Sequence, residues 1–152
     1  FVPRGQTALF DAIGNTLNYF INKKIEDKDS YNICSIYIVT DGFENASKQY
    51  SSKKIKRMID IAEENYNIKL LYLAANQDAI LEASKIGINP SHALNYSENS
   101  ENVESAYRSV ASAMRRYSTG EDSSFTQTER QSSQVQDTPE PPFLRRMTIL
   151  DT

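Results

Sequence analysis

Two hydrophobic rhythms alternate along the first 118 residues. Leu9, Ala12, Ile13, Leu17, Phe20 and Ile21 recur at helical spacing behind Thr7, a residue type that caps helix N-termini, and predict a helix running to the charged stretch 26–29. Residues 33–40 then turn apolar almost without interruption. Ile33, Cys34, Ile36, Tyr37, Ile38 and Val39 leave little polar alternation, the pattern of a parallel strand covered on both faces. A second helix is expected over 53–66, with Ile55, Met58, Ile59, Ala62 and Tyr66 on one stripe. Residues 68–75 (I-K-L-L-Y-L-A-A) read as a second strand. A third helix starts around Asn76 to Asp78, turns Ala79, Ile80, Ala83 and Ile86 inward, and stops at Gly87. A short strand follows at 92–96, and 101–117 carries the most regular amphipathic stripe: Val103, Ala106, Tyr107, Val110, Ala111, Met114 and Tyr117.

After residue 119 the rhythm disappears. Ser, Thr, Gln, Asp and Glu dominate, followed by Pro139, Pro141 and Pro142. Such a stretch buries too little apolar surface to offset ordering entropy, so 119–152 is expected to be a disordered tail with one apolar-basic island at 143–150. The expected organisation is one domain over 1–118 and a tail over 119–152. Helices alternating with strands predict an α/β, doubly wound, mostly parallel sheet. Three strands make it thin, and strand 33–40 is apolar enough to need neighbours on both sides.

Composition narrows the classes further. The chain has 152 residues, of which 39% are hydrophobic and 24% charged, enough for a modest core. A net charge of −3 gives no reason to expect nucleic acid. Cys34 is the single cysteine, which excludes an intrachain disulfide framework and a cysteine metal cluster. No stretch reaches the length of a membrane-spanning helix and no signal segment is visible. The chain begins with Phe1 and reads as a piece of a longer polypeptide; one cysteine and no leader favour an intracellular compartment.

The candidate chemistry sits at Asp41. An apolar strand that stops at Asp41-Gly42 delivers a carboxylate to the carboxyl edge of a sheet, where open α/β folds bind ligands. Catalytic patterns are missing: there is neither a P-loop nor D-x-D-x-T, and His92 has no triad companions, so the chain reads as a non-enzyme. Asp122-Ser123-Ser124-Phe125-Thr126 imitates a metal-binding D-x-S-x-T, but no buried strand precedes it.

Two motifs stand in order: Gly5-Gln6-Thr7-Ala8-Leu9 with Asp11-Ala12-Ile13, and Thr40-Asp41-Gly42 with Asn45. With the βα order they resemble the von Willebrand factor type A domain over residues 1–118. The resemblance implies a metal-ion-dependent adhesion site built from three loops: a D-x-S-x-S, a threonine matched by Thr7, and an aspartate matched by Asp41. It implies Mg²⁺ or Mn²⁺ as cofactor, and a protein partner that presents an acidic side chain to an open coordination position. It further places Arg4, Glu44, Asn45 and Gln77 on the rim that meets the partner. The D-x-S-x-S segment and the strand carrying it are not in the chain. That leaves the metal site short of a third arm and strand 33–40 as an exposed apolar edge, inviting self-association.

Plainer roles stay open for each residue. Thr7 alone is a helix cap, Asp41-Gly42 a strand-ending turn, Glu44 and Asn45 an ordinary polar loop, Arg4 a solvated cation and Asp78 a cap. Two other functions also stay open: a metal-free scaffold of the same fold, and a Mg²⁺-dependent phosphotransfer enzyme.

Overall fold

The structure, a computed structural model, describes residues 7–41, 43–75 and 78–134. Its elements follow the order α1 (Leu9–Glu26), β1 (Cys34–Thr40), α2 (Ser52–Asn65), β2 (Ile68–Ala75), α3 (Ala79–Lys85), a 3-10 turn (Pro90–His92), β3 (Ala93–Tyr96), α4 (Ser100–Ser118) and α5 (Gln127–Ser132). The fold is mixed α/β. Its sheet has three parallel strands in the order β1-β2-β3.

Strand β2 is central, and every residue in it except Lys69 is buried. Its two faces serve two cores. Leu70, Tyr72 and Ala74 join Ile38 of β1 in packing against Ile13 and Leu17 of α1, Ile55, Ile59 and Ala62 of α2, and Ala79 and Ala83 of α3. Leu71 and Leu73 face the other way, into a smaller cluster with Leu94, Ala106, Val110, Ala113 and Phe125. Each fully buried Leu or Ile here contributes on the order of 2 kcal/mol through apolar burial. Helices thus cover both faces of the sheet, as parallel strands require.

Sheet register aligns Thr40, Ala74 and Asn95 in one row at the carboxyl end. Strand β1 is an outer strand. Its residues Tyr37 and Val39 pair with Leu71 and Leu73, so they lie on the α4 side of the sheet, yet they are 50% and 40% exposed. Helix α4 covers β2 and β3 on that side and leaves Tyr37 and Val39 of β1 exposed.

The fold does not end at residue 118. Residues 121–134, expected in the disordered tail, are folded: Phe125 and Ser123 are 5% exposed and Ser133 is fully buried. The domain therefore extends through at least Gln134. Apolar area explains little of this. Polar contacts hold the strap. Arg116 donates from Nη1 and Nη2 to the two Glu129 carboxylate oxygens (2.9 and 3.0 Å) and from Nε and Nη2 to the carbonyls of Asp122 and Ser124. Thr126 and Glu129 form a capping box at the start of α5. The island at 143–150 lies outside the described residues.

Candidate binding site at the carboxyl edge of the sheet

Helix α1 begins without a local cap. Its N-cap position is Ala8, which has no side chain able to accept a hydrogen bond, and Thr7 does not perform the capping expected of it. The other helices follow the ordinary rule: Ser51, Asp78, Asn99 and Thr126 each accept a backbone N–H one turn ahead. Asp78 thus takes the capping role left open for it.

The first-turn amides of α1 are satisfied by the loop after β1 instead. Glu44 Oε2 accepts from Phe10 N at 2.8 Å, and Ser47 Oγ accepts from Asp11 N at 3.0 Å. Glu44 also receives Ala46 N, Ser47 N and the Ser47 hydroxyl. Its carboxylate lies at the positive end of the helix dipole. Burial pushes the Glu44 carboxyl up, but the donors from Ser47, Phe10 and Ala46 outweigh it and hold the group below its ordinary range.

The exchange is reciprocal. Asp11, in the first turn of α1, accepts Lys48 N, Gln49 N and Tyr50 N at 2.9 to 3.1 Å. The amide of Lys48 is the first cause of the lowered Asp11 pKa. Further along, the Tyr50 ring lies flat over Gly14, where an added Cβ would come within 2.6 Å of it. Tyr50 is held at its other end by a hydrogen bond from Asn18 Nδ2 to its hydroxyl, and Lys54 Nζ sits 4.3 Å from the ring centroid. Loop 43–50 and helix α1 therefore form one clasp.

The clasp also positions the candidate residues. Thr7 N donates to Asn45 Oδ1 at 2.8 Å, and Asn45 N donates to the Thr7 carbonyl at 3.1 Å. The segment carrying Thr7 is thereby tied to the loop that follows Asp41. Asp41 itself is exposed, one residue past the Thr40 row. It lies in the electrostatic neighbourhood of Tyr96, whose hydroxyl is pushed up first by burial and then by Tyr107, Asp41 and Glu98. Asn95 Oδ1 closes the row by accepting Ala79 N at the start of α3.

The structure thus brings Thr7, Asn45 and Glu44 together and places Asp41 at the head of the same loop. Glu44 faces inward, so it shapes the loop from within. Arg4 and Gln77 lie outside the described residues. Among the described residues, no three His, Cys, Asp or Glu side chains gather closely enough to hold a metal ion. Asp41 and Thr7 offer hard oxygen donors, which suit Mg²⁺ or Mn²⁺ in kind but not in number.

Sequence reasoning placed Asp11 in a motif without giving it a role, and it missed Ser47 and Tyr50. An acidic residue in the first helical turn was the available signal for Asp11; nothing local points to Ser47 or Tyr50 as its counterparts. The Thr126-Gln127-Thr128-Glu129 capping-box pattern was also readable and marks α5. No helix among the described residues is long and apolar enough to cross a membrane. In comparisons with protein-family models, with curated proteins and with solved structures, nothing matches the chain.

Proposed function

We propose that the carboxyl edge of the sheet is a protein-binding surface of the von Willebrand factor A type, and that the chain is a binding module with no catalytic role. The observation that supports this reading is the two-way tie between Thr7 and Asn45, which fastens the threonine segment to the loop behind Asp41. In the family resembled, these two segments supply a hydroxyl and a carboxylate to one divalent cation. Here Asp41 and Thr7 would hold Mg²⁺ or Mn²⁺ together with a third arm of the D-x-S-x-S kind. The cation would supply a positive centre for a carboxylate of the partner. Asn45 fixes where the Thr7 segment sits, and Glu44 fixes the loop by accepting four donors.

A metal-free scaffold with the same edge is the second reading. The donor count favours it: Thr7 and Asp41 alone are too few oxygens for tight Mg²⁺ binding.

Calorimetry with Mg²⁺ and Mn²⁺ separates the two. The protein extended upstream should bind either ion, and Asp41→Ala should lower that affinity at least about tenfold through loss of the charged ligand. Equal heats from both proteins would sink the metal site. No heat from either would favour the metal-free scaffold.

The outer strand carries a second expectation. Ile33, Tyr37 and Val39 are exposed on or beside β1, and a groove of about 220 Å³ runs between β1 and α1, lined by Leu9, Ala12, Ile13 and Ile36 among others. An apolar sheet edge pairs with other chains unless something blunts it. The 152-residue chain should associate as its concentration rises in sedimentation velocity runs. Val39→Lys should raise the midpoint concentration at least about tenfold by placing a charge in that contact. A chain that stays monomeric throughout refutes this use of the edge.

A further inference from the structure

We infer that the strap formed by residues 121–134 is an acid-released cover over the outer edge of β3, latched by the neutral imidazole of His92. Strand β3 is the sheet's other outer strand, and the strap engages backbone groups at its start and immediately after its end. Ser97 N donates to the Ser133 carbonyl at 2.9 Å, and Arg130 Nη1 donates to the Ala93 carbonyl at 2.7 Å. Just before β3, Phe125 N donates to the Ser91 carbonyl, and Arg130 Nη2 reaches the carbonyls of Pro90 and Ser91. The Phe125 ring fills the cluster between Leu71, Leu73, Leu94 and α4. Opening the strap would uncover both this niche and a sheet edge.

His92 lies under the strap. It is 8% exposed, and its Nε2 is 3.0 Å from the hydroxyl of Ser123, itself buried. The charged groups facing it are Lys69 from β2, Asp122 from the strap and Arg130 from α5. The two cations oppose a third positive charge. Asp122 favours one, but it also receives Ser124 N and the Ser124 hydroxyl. Burial first, then Lys69, lowers the His92 pKa from 6.5 to about 4, with Asp122 opposing and Arg130 adding.

The sign follows. With the strap open, His92 titrates near its ordinary value; with the strap closed it stays neutral. The closed form is therefore favoured fully above pH 6.5, and the advantage is lost as pH falls from there toward 4. Between pH 7.5 and 5 the open fraction should rise roughly 30-fold.

Hydrogen exchange on the whole chain tests this, with protection factors corrected for intrinsic rates. Amides of residues 123–134 should lose roughly 30-fold in protection over that range while remaining less protected than β2 at each pH. His92→Gln, which keeps a polar side chain that cannot charge, should abolish the pH dependence. Equal loss in the variant, or strap and β2 amides of equal protection at every pH, would overturn the latch. His92 is the only histidine in the chain. Its ring proton resonance therefore titrates alone in NMR spectra, and a midpoint near 6.5 with the strap still protected would also refute the proposal, whether or not the variant folds.

Discussion

Glu44→Ala is expected to lower folding stability by about 3 kcal/mol, because it orphans donors that no nearby side chain can serve. The carboxylate receives three backbone amides and one hydroxyl, and it bridges the loop after β1 to the first turn of α1. Each lost bond to a charged acceptor costs about 1.5 kcal/mol or more, and water reaches some of these half-buried donors, which keeps the sum near 3. In urea this corresponds to a midpoint shift of about 2 M for a domain of this size. Glu44→Gln should recover less than half, since its NH₂ group confronts donors. The wild-type carboxyl sits below its ordinary value of 4.5, so its contribution is present above that pH and lost as pH falls through the lowered value. The Glu44→Ala deficit should accordingly shrink in acid. A deficit under 1 kcal/mol at neutral pH would mean that solvent already satisfies the clasp.

Arg116→Ala should cost about 3 kcal/mol and should act on the strap alone. The guanidinium spans two carbonyls and both oxygens of Glu129, with side chains only 22% and 15% exposed. Its loss leaves Glu129 with a half-buried charge whose chief partner is gone, which is the costly way to break an ion pair. Burial pushes the Glu129 carboxyl up; Arg116 and Thr126 together bring it below its ordinary value. Arg116→Lys should recover little, because an ammonium cannot serve a fork of four acceptors. Limited proteolysis should find new cleavage within 121–134 in Arg116→Ala, while β2 stays protected. Loss of the entire fold at once would show that the strap and the sheet form a single cooperative unit.

The two variants probe the places where sequence and structure part. Local pattern carries the strands: residues 68–75 read as a strand and form β2 with those bounds, because a long apolar run has one stable use in a chain with helices on both sides. It also carries Asp41, since a run ending in Asp-Gly puts the carboxylate at a strand end in any parallel sheet. The strap was misjudged by composition. Fourteen residues rich in Ser, Gln and Thr contain one large apolar anchor, Phe125, and order comes from Arg116, Arg130 and a capping box. A ledger of apolar area cannot see such a segment, because its ordering energy is held in polar contacts with distant carbonyls.

By itself, then, the sequence determined the alternation of helix and strand, the bounds of strand 68–75 and the position of Asp41, all of which depend on neighbours within a few residues; that this strand, and not 33–40, takes the middle of the sheet was decided by tertiary structure. Tertiary structure alone decided that Thr7 leaves capping to Glu44 and Ser47, which lie 34 and 36 residues beyond the amides of Phe10 and Asp11 that they receive, that Glu44 turns inward, and that Asp11 returns the bond. The physical reason is that helix-end amides donate to any acceptor oxygen that arrives in place. Which oxygen arrives is set by the packing of β1 against α1, and propensity does not encode it.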